Sequence, residues 1–400
     1  MKKNTALLLV LFIYAVAQSQ TPQLIFNSGF ENNVSIMPVT TTTSDILGTD
    51  TSLPTNNNWK THLDGHPNIG YSVIQFDDAA TTSRGATIVS DPLNPTNKVM
   101  QFWSKIPNST NTFGRVQACI YNNNALKNVL TSVKMYLPSD INILKQMPNS
   151  FDWFTIMEFW NSPNWTNDPY PFRISLNIRK LNANSQILNI RAYAQKFDPT
   201  TNTWIYIWDN TNINVAIPVE KWFILETHII EGNATNGKFR ASITPDGEPS
   251  VVLFEINNYT HHPDEANTNG IDFINPFKLY TAANLVNYVT ANNGVLNVLY
   301  DDFKIWKDVP QAILSTASNE LENDFLYWDG NTQSIKYKNN TGLKLGLNCK
   351  LFDISGKLVF EVETNTQEDF AVTKNNVTSG LYFYKITTKE KTSQGKIFIP

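Results

Sequence analysis

The stretch Pro171-Phe-Arg-Ile-Ser-Leu-Asn-Ile-Arg-Lys180 decides the fold. It alternates strictly: Phe172, Ile174, Leu176 and Ile178 fall on one face, and Arg173, Ser175, Asn177 and Arg179 on the other. Period-two alternation marks a strand with one face in a core and one face wet. The wet face here carries guanidiniums and hydrogen-bonding groups, not the usual Lys/Glu/Thr mixture. Other runs repeat it. Gly114 to Tyr121 places Arg115, Gln117 and Tyr121 on one side, and Ile190 to Lys196 places Arg191, Tyr193 and Gln195 together. Phe277 to Tyr280 sets Lys278 beside Tyr280. A sheet face of this composition suits a polyanionic, hydroxyl-rich ligand.

The chain has 400 residues, 41% hydrophobic, 12% aromatic and 16% charged. That length supports one large domain and a small one, each with its own core. A net charge of -4 gives no bulk reason to expect nucleic acid or a membrane surface as a partner, so recognition of an anion has to be local. Residues 1–20 read as a signal peptide: Lys2 and Lys3, an apolar run from Ala6 to Val16, and the small-x-small site Ala15-Val-Ala17. The alternative is a membrane anchor, but the run is short for a bilayer, and no later segment is apolar enough to span one. Cys119 and Cys349 fall in different expected domains, so no disulfide framework is expected.

Short alternating runs separated by Asn, Pro, Gly and Asp clusters fill residues 60–310. Strands are expected near 71–76, 85–90, 98–104, 114–121, 129–136, 152–160, 171–180, 187–196, 203–209, 221–231, 238–244, 251–256, 276–281 and 295–306. Helical periodicity is almost absent; Asp140 to Lys145 offers one turn. This pattern predicts an all-β jelly roll over residues 21–309. A linker at 310–324 leads to a small β-sandwich at 325–400, in which Lys350 to Phe360 reads as a hairpin with a Ser-Gly turn.

Candidate chemistry is sparse outside the wet face. His62 with His66 and His261 with His262 have metal-like spacing, but they read better as surface loop histidines. Phe154-Thr-Ile-Met-Glu-Phe-Trp-Asn161 holds Glu158 without the second carboxylate that a jelly-roll glycoside hydrolase needs. Uronate β-elimination needs other groups: a cation or amide to neutralise the carboxylate, a base at C5 and an acid at the leaving oxygen. The strands offer Arg115, Arg173, Arg191 and Lys278 as cations, Gln117 and Asn177 as amides, and Tyr193 and Tyr280 as phenols. Glu158 would orient an arginine or bind hydroxyls. Trp160 either stacks on a sugar or packs in the core, and Trp204, Tyr206 and Trp208 alternate as a rim platform.

Three resemblances extend this reading. "LFDISGKLV…TSGLYFYKITT…GKIFI" resembles the C-terminal sorting domain of type IX secretion, which implies that machinery as a partner and a secreted or outer-membrane-surface location; an ordinary immunoglobulin-like module is the alternative. Asn27-Ser-Gly-Phe-Glu31 and Tyr300-Asp-Asp-Phe-Lys-Ile-Trp306 are similar to the first and last strands of concanavalin A-like jelly rolls, which pair. That implies a structural calcium held by Asn27, Glu31, Asp302 and Asp301; a mere strand cap is the alternative. Finally, the order Arg-x-Gln, Ile-Met-Glu-Phe-Trp-Asn and Phe-Lys-Leu-Tyr resembles the jelly-roll alginate and ulvan lyases. Glu158 and Trp160 stand where the alginate enzymes carry Gln and His, which argues against alginate; the whole layout of signal peptide, jelly roll and sorting domain is similar to the ulvan lyases of polysaccharide lyase family 28. The resemblance implies Tyr280 as base and acid, with Lys278 and Arg115 beside it. It also implies substrate binding by Gln117, Glu158, Trp160, Arg173, Asn177, Arg191 and Tyr193. A non-catalytic carbohydrate-binding module and a hydrolase using Glu158 are the alternatives.

Overall fold

Phe172–Arg179 is a strand, and its two faces part as the alternation requires. Phe172, Ile174, Leu176 and Ile178 are at most 1% exposed and join the main core. The structure is a computed structural model. It describes residues 22–309 except 32, 51–56, 79–81 and 163–166, and residues 324–399 except 330–333, 340–346, 355, 365–371, 374–376 and 389–391. The expected signal peptide and all of the expected linker but Asp324 lie outside the described residues.

The chain divides into two compact units, one of which is Gln23–Val309. This unit opens with β1 (Gln23–Ser28), β2 (Ser35–Pro38), β3 (Thr43–Leu47), β4 (Tyr71–Phe76), β5 (Arg84–Ser90) and β6 (Lys98–Ser104). Then come β7 (Phe113–Tyr121), β8 (Asn128–Tyr136), β9 (Phe154–Trp160), β10 (Phe172–Arg179), β11 (Asn189–Asp198) and β12 (Thr203–Ala216). It closes with β13 (Trp222–Ile230), β14 (Lys238–Pro245), β15 (Val251–Asn257), β16 (Phe273–Asn275), β17 (Lys278–Ala282) and β18 (Leu296–Lys307). They form two antiparallel sheets. The eight-stranded one runs β15-β14-β13-β8-β18-β6-β5, with β1 on β18. The first strand thus pairs with the last, Gln23 opposite Lys307 and Ser28 opposite Phe303. The ten-stranded one runs β12-β11-β10-β9-β16-β7-β4-β3-β2, with β17 paired to both β7 and β9. Their apolar faces form one core, in which each fully buried Ile, Leu or Phe contributes about 1.5–3 kcal/mol. The fold is a β-jelly-roll sandwich.

Two local expectations fail. β2 and β3 sit in the polar Asn/Thr/Ser stretch, where alternation is too weak to read. A nine-residue helix, α2 (Ala283–Ala291), follows β17; α1 is the expected turn, at Asn142–Lys145. The buried face of α2 is Ala283, Leu285, Val286 and Val289, a helical spacing masked by β-branched residues. Of the loop histidines, His62 is exposed and His66 half-buried, but His261 and His262 are buried and bond locally.

The other unit is described by its own strands: β19 (Asp324–Asp329), β20 (Ser334–Asn339), β21 (Leu347–Phe352), β22 (Leu358–Thr364), β23 (Val372–Thr373), β24 (Gly380–Thr388) and β25 (Thr392–Ile399). They make a three-stranded sheet β19-β20-β23 and a four-stranded sheet β22-β21-β24-β25 around their own core. Gly356, at φ +80°, occupies the left-handed region in the β21–β22 turn. Cys119 and Cys349 are free and buried, one in each unit.

Candidate active site

Antiparallel register assembles the outer face of the ten-stranded sheet. Facing residues form ladders across it. One ladder runs Arg115–Tyr280–Thr155–Asn177–Arg191 over β7, β17, β9, β10 and β11. Beside it lie Gln117–Lys278 and Asn275–Glu158–Ser175–Tyr193. A third is Trp160–Arg173–Gln195–Tyr206. The expected catalytic and substrate-binding residues therefore share one face.

At its centre Lys278 forms an ion pair with Glu158; both side chains are 2% exposed. Lys278 also donates to Asn275 Oδ1 at 3.1 Å. Glu158 accepts from Ser175 Oγ at 2.8 Å and Trp160 Nε1 at 3.3 Å, with Arg173 at 3.8 Å. Burial opposes the Glu158 charge, but Lys278, Arg173 and the Ser175 bond outweigh it and hold the carboxyl below its usual range. Burial draws Lys278 down and Glu158 draws it up, with burial the larger.

Tyr280 lies half-buried next to this pair. Phe113 and Trp153 meet its ring edge-on at 5.4 and 5.0 Å, holding it in place. The Lys278 ammonium is 5.1 Å and the Arg115 guanidinium 5.5 Å from the ring centroid. These cations do not bring the phenolate within easy reach: burial pushes the Tyr280 phenol up to about 12, and Arg115 does not offset it. Burial likewise raises Tyr193.

The face is not the open cationic groove that its strands suggest. Arg115 is held by Asp77 Oδ1 at 3.1 and 2.5 Å, and Arg191 by Asp209 at 2.8 and 2.7 Å and Asp152 at 3.1 Å. Arg173 bonds Gln195 Oε1 at 2.9 and 2.7 Å and lies 4.4 Å from the Trp204 ring. The cations Arg115, Arg173, Arg191 and Lys278 thus meet the carboxylates Asp77, Glu158, Asp152 and Asp209, while Arg179 on the same face bonds Thr211 Oγ1 at 2.8 Å. What remains unmatched is polar: Gln117 Oε1, Asn177 Nδ2 and Asp77 Oδ2 are buried without hydrogen-bond partners. Sequence reading missed Asp77, Asp152, Asp209, Gln75 and Asn275, because their partners are remote in the chain. Gln75, which bonds Gln117 at 3.2 Å and Tyr121 at 3.0 Å, was legible only in the alternation of Tyr71, Val73 and Gln75.

The rim platform is half right. Trp204 packs edge-on to Trp160 at 5.4 Å, and Tyr206 is 48% exposed beside Tyr193. Trp208 is buried in the main core instead. The register steps from Gln195–Tyr206 to Ala194–Trp208, so a bulge at residue 207 turns Trp208 inward.

The expected calcium ligands are placed differently. A Cβ on Gly29 would stand 2.5 Å from Glu31 Oε2, 3.0 Å from Asp301 Oδ1 and 3.2 Å from Asp50 Oδ2. Three carboxylates thus converge on a point left open by glycine. Burial, Asp50 and Asp302 push Glu31 up to about 7, and burial with Asp302 and Glu31 raises Asp301 well above its ordinary value. Hard oxygens under mutual repulsion fit a calcium ion. Among the described residues no three His, Cys, Asp or Glu side chains are placed to hold a metal ion, these carboxylates included. Asp50, unforeseen in the sequence, stands in the cradle. Asn27 faces Lys304 across β1 and β18, and its side-chain oxygen is buried without a hydrogen-bond partner.

Residues 331–400 match the model of the secretion system C-terminal sorting domain. The chain carries a sorting domain. It is therefore a secreted or cell-surface-attached protein, and among the described residues no helix is long and apolar enough to cross a membrane. No curated protein matches the sequence. Among solved structures the chain is similar to an endo-β-1,4-glucuronan lyase from the fungus Trichoderma reesei, at 14% identity and TM-score 0.37, over 60% of this chain and 92% of that one. It is also similar to a marine PL-14 alginate lyase from Aplysia kurodai, at 9% identity and TM-score 0.40, over 71% and 99%. A third is the alginate lyase Aly36B with an alginate trisaccharide, at 12% identity and TM-score 0.37, over 72% and 99%.

Proposed function

We propose that the protein is an exported polysaccharide lyase that cleaves an acidic, sulfated algal polymer such as ulvan by β-elimination at uronic acid residues. One observation carries this: a phenol, Tyr280, is fixed between aromatic rings within about 5 Å of two cations, beside buried amides with unused polar atoms. In the reaction, the Tyr280 phenolate takes the C5 proton and becomes the neutral phenol. The C–H electron pair forms C4=C5, the C4–O bond breaks, and the leaving oxygen takes a proton from the same phenol. Arg115 and the Asn177 amide neutralise the uronate carboxylate, and Lys278, fixed by Glu158, stabilises the charge that develops next to it. With its pKa near 12, Tyr280 rests as a neutral phenol, so the reactive form is the small fraction that has already lost its proton to solvent. At the Gly29 cradle, Glu31, Asp50 and Asp301, with Asp302 beside them, would hold a calcium that braces β1 against β18.

The test is ultraviolet absorbance of the unsaturated uronate when the full chain meets ulvan, glucuronan or alginate. Absorbance from none of them sinks the reading. A second reading, a non-catalytic carbohydrate-binding module, is favoured by the pairing of Arg115, Arg191 and Lys278 with carboxylates; it predicts binding without absorbance. The hydrolase reading fits poorly, because Glu158 is tied up by Lys278 and Arg173, whose charges keep it from serving as the proton donor.

A further inference from the structure

Three arginines of the ten-stranded face use the same edge of the guanidinium inside the protein. Nε and Nη2 of Arg115 both donate to Asp77 Oδ1, and those of Arg173 both donate to Gln195 Oε1. Nε and Nη2 of Arg191 donate to the two oxygens of Asp209. Arg179 departs from this pattern. It is the last outward position of β10, half-buried, and stands opposite Asn189 of β11. Its hydrogen bond runs from Nη1 over β11 to Thr211 Oγ1 of β12, at 2.8 Å. Among the described residues it makes no ion pair, and its Nε–Nη2 edge has no acceptor. Nε is buried, whereas Nη2 is not, so the edge opens at its Nη2 end. The carboxylates of this corner are committed to Arg191, Asp209 at 2.7 Å and Asp152 at 3.1 Å. Asn189 is 0% exposed, and its side-chain oxygen is buried without a hydrogen-bond partner while its nitrogen donates to the Val215 carbonyl at 3.2 Å. Directly opposed strand residues start their side chains about 5 Å apart. An unused cationic donor edge and an unused acceptor thus sit side by side.

We infer that Arg179 anchors a second anion subsite, which takes the sulfate monoester or the carboxylate of a sugar next to the one that Tyr280 attacks. The inference rests on the reading of this face as the binding surface for an acidic polysaccharide. Both anions present paired oxygens that match the Nε–Nη2 fork. The anion meets Nη2 first, and a small turn of the side chain admits it to Nε. Asn189 Oδ1 can only accept, so it takes a hydroxyl of the same sugar. The register sets the spacing. Tyr280 and Asn177 both face Thr155, two strands apart, and Arg179 lies two residues beyond Asn177. That places the Arg179 Cα about 12 Å from the Tyr280 Cα. The Arg179 side chain then runs further away, toward β12. Its anion therefore belongs to a neighbouring sugar, and the subsite adds affinity and selectivity without touching the reacting atoms.

The experiment is calorimetric titration of the full chain with three ligands: ulvan oligosaccharides, the same oligosaccharides after desulfation, and glucuronan oligosaccharides. Arg179→Gln and Arg179→Lys are compared with their parent in the Tyr280→Phe background, so that the ligand survives. Arg179→Gln is expected to weaken Kd for ulvan oligosaccharides about tenfold, and the loss should shrink with added salt. With Tyr280 in place, the same change should raise KM and leave kcat as it was. A difference that vanishes on desulfation assigns the anion as a sulfate; one that persists there and on glucuronan assigns it as a carboxylate. An unchanged Kd on all three ligands, a loss equal at low and high salt, or a fall in kcat at constant KM overturns the inference. If Arg179→Gln does not fold, Arg179→Lys decides: losing the fork should weaken Kd about threefold, and a Kd equal to the parent's overturns it. The two readings fail separately. Wild type that binds these ligands without ultraviolet absorbance sinks the lyase, and the Kd comparison still decides the subsite; wild type that binds none of them overturns both.

Discussion

The two sheets of the sandwich share strand length, antiparallel pairing and period-two alternation, yet their outer faces differ in kind. On the eight-stranded sheet, Lys134, Ile224, Glu226, Arg240 and Thr244 are half-buried and mixed in sign. Lys134 meets Asp246 at 3.5 Å, at 24% and 51% side-chain exposure. On the ten-stranded sheet, Gln117, Ser175 and Asn177 are 0% exposed, and Lys278 and Glu158 2%. Polar groups taken out of water cost free energy unless each finds a partner. The eight-stranded face bears less of that cost, though Ser132, His228 and Ser242 are buried on it. The sheet that accepts it is the one on which chemistry is to be sought, and alternation alone does not distinguish the two.

The sharpest way to break the contrast is Tyr280→Phe. It removes one hydroxyl and keeps the ring packing against Phe113 and Trp153. Turnover is expected to fall by about 10²–10⁴-fold, as for loss of a general acid–base group, with substrate binding and circular dichroism nearly unchanged. A variant that keeps more than about a tenth of the wild-type rate clears Tyr280 of that role. Next comes stability. Lys278→Met strands the buried Glu158 charge and should cost about 3–5 kcal/mol in urea unfolding. Lys134→Met, on the other sheet, should cost at most about 1 kcal/mol. Equal losses would erase the difference between the faces.

The pH profile sharpens the role of burial. With Tyr280 near 12, only a small fraction is phenolate at neutral pH. If phenolate is the base, kcat/KM should climb about tenfold per pH unit through the mildly alkaline range. The Tyr280→Phe residual rate should stay flat, and a wild-type plateau near neutrality would show that substrate lowers the pKa or that another base acts. Smaller still is the salt effect. Arg115→Ala and Arg173→Ala should raise KM, and the increase should shrink with added salt, while Trp204→Ala changes KM equally at low and high salt. Because both arginines are already paired, a shift above about tenfold is not expected. Smallest is the cut after Val309, where the unit boundary lies. The shortened chain is expected to keep its activity within about twofold, and a folded but inactive product would show that the second unit completes the site.

Most of the large unit was legible because its strands alternate. Phe172 to Ile178 and Phe277 with Leu279 point inward as their apolar pattern demands. What was not legible depended on partners far along the chain. Nothing in Arg115 or Arg191 announces Asp77 or Asp209, so a largely paired face read as a cationic one. The bulge that turns Trp208 inward is likewise a property of the β11–β12 pairing, not of the run from Trp204. The Gly29 cradle was half visible, since Glu31 and Asp301 sit in readable motifs while Asp50 lies in a featureless polar stretch.

The Lys278–Glu158 contact also has a kinetic consequence for an exported chain. Its partners are 120 residues apart, and the Arg115–Asp77 pair closes a separation of 38. Long loops close late, after local hairpins such as β10–β11 have formed. The centre of the face therefore matures only after the chain has delivered β17. A partly emerged or unfolded precursor holds every residue of the reaction and none of its geometry, so it is inert toward polymer until folding is complete.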